Sequence, residues 1–203
     1  MITFVSNNFE TINVVKRTLG DNYQYMCKDI RSLNDLELDK FDVYISPANS
    51  FGELQGGIDM QYYKYFGGDI LQENIYNIIR KDYSGEILMG DFCYINLSNG
   101  KKLLLCPTMT IPADVSQTRN AYYFMRAVLK GINILKQANI NVNNVFCPIP
   151  CTGVGKMSSE LAAKQMKAAI DGENRMGQIY DVYTGPNSLL TNAKMMVMSM
   201  IQQ

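Results

Sequence analysis

The sequence predicts an α/β sandwich of three layers, with helices on both faces of a mixed central sheet. Three observations lead there. Short apolar runs alternate with amphipathic stretches, with no internal repeat and no Gly/Ser linker. One pair of runs, Asp91 to Leu97 and Lys102 to Cys106, flanks the turn signal Ser98-Asn99-Gly100, a hairpin within an otherwise crossover-rich pattern. Two further runs, near Ser46 and Cys147, break into loops rich in glycine and small polar residues, as strands do where an α/β sheet builds a binding crevice. At 203 residues one hydrophobic core still suffices, so a single domain over 1–203 is expected.

Taken in order, residues 2–5 read as a strand and Phe9 to Leu19 as a helix carrying Ile12, Val15 and Leu19. Gly20-Asp21-Asn22 turns the chain into a second strand, Tyr23 to Met26. Asp42 to Ser46 is a short strand ended by Pro47. Gly57 to Phe66 can start a helix, and Asp69 to Asp82 forms one with Ile70, Ile75, Ile78 and Ile79 on its apolar face. The longest helical pattern runs from Ser116 or Gln117 to Ala138, where Tyr122, Phe124, Met125, Val128, Leu129, Ile132 and Leu135 make a broad apolar surface. Asn143 to Cys147 is a strand, and a helix follows over Ser158 to Ile170 with Ser158 as its N-cap. Ile179 to Tyr183 and Ser188 to Ile201 complete the pattern as strand and helix. The run Met195 to Met200 packs on the core, or marks an oligomer interface if exposed.

Composition excludes several classes of function. Nineteen basic and nineteen acidic residues balance, and no basic tract stands out, so a broad nucleic-acid footprint is not expected. The opening residues read as a strand rather than a signal peptide, and no apolar run reaches the length of a membrane span. Cysteines Cys27, Cys93, Cys106, Cys147 and Cys151 are odd in number and scattered, which fits a reducing compartment such as the cytoplasm. Histidine is absent from the sequence. That removes every Ser-His-Asp or Cys-His arrangement and the commonest zinc ligand, and neither metal nor cofactor is expected. Any chemistry falls to carboxylates, amides, hydroxyls, lysine, thiol and backbone dipoles.

The chemistry-bearing residues cluster in the two glycine-rich loops. Asn49, Gly56, Gly57, Ile58 and Asp59 follow the strand at Asp42 to Ser46, and Cys151-Thr152-Gly153-Val154-Gly155 follows the strand ending at Cys147. Together with Cys27-Lys28-Asp29-Ile30, this order resembles the signature of macro domains. The match covers about Cys27 to Ile170. The resemblance implies an ADP-ribose-binding fold whose hydrolytic members act on ADP-ribosyl esters or ADP-ribose 1''-phosphate. Carried onto this chain, it implies that Asp29 and Ile30 meet adenine, that Asn49 binds the distal ribose, and that Gly56, Gly57 and Ile58 face Thr152 to Gly155 across the phosphates. Asn49 and Asp59 are then the candidate catalytic pair, Asp59 lying near the substrate water. The chain departs from the pattern where Cys27-Lys28 replaces a glycine, where two glycines replace three, and where Met60, Gln61 and Tyr62 stand in place of a histidine. No Glu-Glu pair follows the first loop, which argues against a hydrolase acting inside poly(ADP-ribose).

Each residue also has a structural reading. Asn49 can close an Asx turn, Asp29 can cap the segment toward Ser32, and Asp59 can place charge at a helix start. Cys151 reads more simply as a small side chain packed beside the loop than as a nucleophile. Phe51 is either a wall against ribose or adenine or a ring packed on the protein. Tyr62, Tyr63, Tyr65 and Phe66 cover the cleft or form a partner surface. Three functions therefore stand side by side: a binding domain that also hydrolyses a terminal ADP-ribosyl bond, a pure nucleotide-binding module, and a scaffold whose cleft has degenerated.

Overall fold

A computed structural model of the protein describes residues 1–32 and 35–174. The elements expected over 179–183 and 188–201, with the methionine run, lie outside the described residues. Among the described residues six strands form one sheet: β1 (Ile2–Ser6), β2 (Gln24–Cys27), β3 (Val43–Ser46), β4 (Cys93–Asn96), β5 (Lys102–Leu105) and β6 (Val145–Pro148). Their spatial order is β2-β1-β6-β3-β5-β4, and every pairing is parallel except β4 with β5. That antiparallel pair is the hairpin expected at Asn99-Gly100, registered from Cys93 opposite Leu105 to Asn96 opposite Lys102.

Among the described residues six helices accompany the strands: α1 (Phe9–Leu19), α2 (Asp35–Leu38), α3 (Gly57–Phe66), α4 (Gly68–Asp82), α5 (Asn120–Gln137) and α6 (Ser159–Asn174). A 3₁₀ turn at Ile30–Ser32 and the one-turn α2 fill the connection from β2 to β3. Met1–Ala169 form one compact unit; a second begins at Ile170 within α6.

Helices lie on both faces of the sheet. On one face, Leu71, Ile75 and Ile79 of α4 and Tyr62 and Phe66 of α3 pack on Tyr44, Leu103, Leu105 and Phe146. The Tyr44 ring meets those of Phe66 at 4.8 Å and Tyr62 at 5.9 Å. Tyr62 also donates its hydroxyl to the Ile45 carbonyl at 3.1 Å. These two aromatics are therefore core, not a cover for the cleft, each buried ring contributing roughly 1.5–3 kcal/mol. On the other face, Gly131 of α5 lies so close to Leu104 and Phe92 that a methyl group there would approach Leu104 to 2.9 Å. The hydroxyls of Thr11 in α1 and Ser159 in α6 meet at 2.8 Å, and Gln165 of α6 bonds Tyr122 N and Thr118 O beside α5. β3 and β6 are buried along their whole length, as central parallel strands are, while β2 lies at an edge and is partly exposed.

The apolar face of α4 differs from expectation. Leu71, Gln72, Ile75 and Ile79 are buried, whereas Ile70 is 83% exposed. The helix begins one residue earlier, at Gly68, and its inward stripe is rotated to bring Gln72 under the loop that follows β3.

Candidate functional site

At the carboxyl ends of β1, β2, β3 and β6 a cleft of about 630 Å³ opens. The chain leaves β1 through α1 on one face and leaves β3 through α3 on the other, with β6 between them. That reversal is the switch point at which open α/β sheets leave a crevice. Asp29, Ile30, Asn49, Gly56, Gly57, Ile58, Asp59 and Cys151 through Gly155 all line it. Phe51 does not. It is exposed, because the turn that closes at Asn49 points the next side chain but one away from the cleft.

The first loop is held by side chains at both ends. Asn49 Oδ1 accepts from the N–H groups of Phe51 (3.1 Å) and Glu53 (3.2 Å), the Asx turn, and Asn49 Nδ2 donates to Glu53 Oε2 at 2.7 Å. The buried Asn49 amide is thus largely committed within its own loop, leaving one N–H in reserve. From α4, Gln72 Oε1 accepts from Leu54 N at 2.9 Å and its Nε2 donates to Gly52 O, also at 2.9 Å. Gly52 adopts φ +72°, and a Cβ there would come within 2.6 Å of side-chain carbons of Ile75 and Ile79, so only glycine fits. Glu53 and Gln72 escaped the sequence reading. The four-residue spacing from Asn49 to Glu53 was a visible signal, whereas Gln72 carried none, since a glutamine in an amphipathic helix reads as surface.

Beyond Glu53 the chain enters α3. Gly57 takes φ +54°, with open space where a side chain would stand. Among the described residues, the N–H groups of Gly56, Gly57 and Ile58 donate to no protein acceptor, the ordinary condition of a helix start. Asp59, in the first turn, is buried and accepts from Ser46 Oγ at 2.6 Å. Burial pushes its carboxyl up to about 7, against the Ser46 hydrogen bond, which pulls it down. Ser46, the last residue of β3, is a further site residue hidden by its place inside a strand.

The second loop leaves β6 through Cys151, which is buried and holds φ +65°, a conformation rarely open to a non-glycine residue. Burial raises its thiol to about 12, so it stands as a packed neutral group among Met109, Val115 and Met157 rather than a nucleophile. Gly155 is required by packing, since a Cβ would approach Val115 to 2.6 Å and the Cys151 carbonyl oxygen to 2.8 Å; Gly153 faces open space. No protein acceptor among the described residues takes the N–H groups of Thr152, Gly153, Val154 or Gly155. Lys156 turns away to Asp114 at 3.6 Å. Ser158 caps α6 as expected, accepting from Leu161 N at 3.2 Å.

Asp29 reaches the cleft from the end of β2 in an ion pair. Arg31 donates to both its oxygens, at 3.0 and 2.9 Å from Nε, and through its backbone N–H at 2.9 Å. These bonds hold the Asp29 carboxyl down to about 2. The cap toward Ser32 also forms, with Ser32 N and Oγ bonding the Asp29 carbonyl at 2.9 and 2.7 Å. Ile30 lines the cleft beside it. Among the described residues, no group of three or more His, Cys, Asp or Glu is placed to hold a metal ion, and no helix is long and apolar enough to cross a membrane.

Sheet order, layering and the position of the cleft define the class: this is the macrodomain fold. The macrodomain of Mycobacterium tuberculosis DarG is similar over 70% of this chain and 89% of its own, with a TM-score of 0.54 at 16% identity. A glycine-to-valine mutant of the Oceanobacillus iheyensis macrodomain with ADPR matches over 70% of this chain and 73% of its own, at a TM-score of 0.54 and 16% identity. The Thermus aquaticus DarG macrodomain extends the match to 84% of this chain and 91% of its own, at a TM-score of 0.53 and 11% identity. No family model matches the sequence, and no curated protein does. The likeness is one of fold.

Proposed function

We propose that the cleft binds ADP-ribose or a closely related nucleotide. The observation that carries this reading is the pair of facing backbone stretches, Gly56 to Ile58 and Thr152 to Gly155, whose N–H groups line one cleft without a protein acceptor. Such groups stabilise phosphate charge without lysine or arginine, the more so at the start of a helix. The cleft volume lies in the range of small-molecule sites. Its span from β2 to β3 covers three strand spacings, roughly 14 Å, which suits a pyrophosphate with a sugar on each side. Adenosine then lies toward Asp29 and Ile30, and the distal ribose toward Asn49. The glycine-to-valine mutant of the Oceanobacillus iheyensis macrodomain with ADPR, and the Oceanobacillus iheyensis macrodomain with ADP, support the assignment by fold. A degenerate scaffold is disfavoured because neither Phe51 nor the buried Tyr62 and Phe66 side chains occupy the cleft. Calorimetry with ADP-ribose, ADP-ribose 1''-phosphate, ADP and NAD tests the reading. Binding of ADP-ribose that is lost in Gly57→Val is expected, and absence of binding by every member of the panel overturns it.

A second reading, hydrolysis of a terminal ADP-ribosyl bond, rests on Asp59. A buried carboxyl that titrates near neutrality beside the cleft suits a general base. Above its pKa it accepts a proton from a water whose oxygen attacks the terminal ester; the ester C–O bond breaks and the alcohol leaves with a proton from solvent. Ser46 fixes the carboxylate for this task at 2.6 Å. Asp59→Ala is expected to lower turnover of an ADP-ribosyl ester more than it weakens ADP-ribose binding. Equal turnover by the variant and the unaltered chain removes Asp59 from the chemistry.

A further inference from the structure

The charges that line the cleft are segregated along the sheet. Its lysine and arginine, Lys28 and Arg31, both follow β2, and each already holds a carboxylate, Glu37 and Asp29 respectively. Three strand positions away, the loop after β3 contributes Glu53 and Asp59, and among the described residues neither meets a cation. Glu53 is held by its own loop and by α4. Its N–H is bonded to Asn49 Oδ1, its Oε2 receives Asn49 Nδ2, and the residues on either side, Gly52 and Leu54, are clamped by Gln72. Half-buried, it presents an acceptor-only group where the neighbouring Asn49 amide has one N–H to spare.

We infer that Glu53 is a specificity-determining residue that makes the β3 end of the cleft select a neutral, hydroxyl-bearing terminus and reject a terminal phosphate. The inference rests on ADP-ribose occupying the cleft with its distal ribose toward Asn49, and it names which members of that ligand class are accepted. A carboxylate accepts hydrogen bonds from the hydroxyls of a sugar, and vicinal hydroxyls can use both of its oxygens. A phosphate monoester in the same place brings two negative charges against Glu53 in a half-buried site, where no cation among the described residues offsets them. The spare Asn49 N–H supplies the single donor that a sugar oxygen needs, too little to hold a dianion.

The decisive measurement is the ratio of dissociation constants for ADP-ribose 1''-phosphate and ADP-ribose, determined by calorimetry for the unaltered chain and for Glu53→Gln. Glutamine keeps the length of the side chain and an oxygen to accept from Asn49, so the loop survives, and thermal unfolding of the variant checks that it has. The unaltered chain is expected to prefer ADP-ribose by at least about tenfold, and Glu53→Gln to shrink that preference by roughly tenfold. Raising salt is expected to narrow the preference in the unaltered chain and to leave the variant nearly unmoved. Binding of ADP-ribose with a ratio that Glu53→Gln does not alter overturns the role of Glu53 and leaves the binding reading intact. Failure of the unaltered chain to bind ADP-ribose overturns both.

Discussion

Replacing Asp59 with Asn isolates the energetic cost of a carboxylate buried in the cleft. Asparagine keeps an oxygen that can accept from Ser46 Oγ, the bond that measures 2.6 Å in the native chain, but it never ionises. Burial lifts the Asp59 carboxyl from 3.8 to about 7. Between those values the folded chain holds a proton that the unfolded chain has released. Stability therefore falls as pH rises, by about 1.4 kcal/mol per pH unit, and levels off above 7. The full rise corresponds to about 4 kcal/mol. Urea unfolding of both proteins at several pH values from 4 to 8 reads this directly. The stability of Asp59→Asn relative to the native chain should climb through that window by about 4 kcal/mol. A difference that stays constant with pH would refute the reasoning, because it would mean that Asp59 ionises as freely in the folded chain as in the unfolded one.

Gly52→Ala should destabilise the fold by about 2–3 kcal/mol in the same assay, since the new methyl meets Ile75 and Ile79 at 2.6 Å on a backbone at φ +72°. Gln72→Leu should leave the Leu54 N–H and Gly52 carbonyl without partners, cost about 2 kcal/mol, and speed hydrogen exchange at Leu54 far more than at Ile75. Native-state alkylation should modify Cys27 alone among the five cysteines, because Cys27 is exposed while the others are buried and the Cys151 thiol is raised to about 12. Rapid labelling of Cys151 in the folded protein would restore it as a candidate nucleophile.

Local pattern made the layers legible in the sequence. Phe9 to Leu19 shows helical spacing and Asn99-Gly100 a hairpin turn, and both depend on neighbours within a few residues. The cleft was legible because its two loops each carry glycine at a strand end. Partnership across longer distances was not. Whether Asp29 offers its carboxylate outward or to Arg31, and whether Asn49 faces a ligand or Glu53, depends on rotamers that several patterns of residues would permit. The inward position of Gln72 follows from what α4 packs on: the buried stripe runs along Leu71, Gln72, Ile75 and Ile79 and leaves Ile70 outside, which the spacing of the isoleucines alone does not reveal. Tyr62 and Phe66 read in sequence as a cover for the cleft or a partner surface; Tyr44 and Ile45 beneath them make the pair core.

The place of β6 governs when the protein becomes competent. Val145 pairs with Ile2 on one side and Val43 on the other, so the strand that joins the two halves of the sheet emerges last of the six from the ribosome. A nascent chain that ends before Val145 holds a β1–β2 pair and a β3–β5–β4 ribbon with an open seam between them, and lacks one wall of the cleft. Pairings of such sequence separation are slow to close. On the proposed reading ligand meets only the closed cleft, so ADP-ribose should slow unfolding of the finished chain while leaving its rate of folding unchanged. Acceleration of refolding by ligand would show instead that the seam closes early.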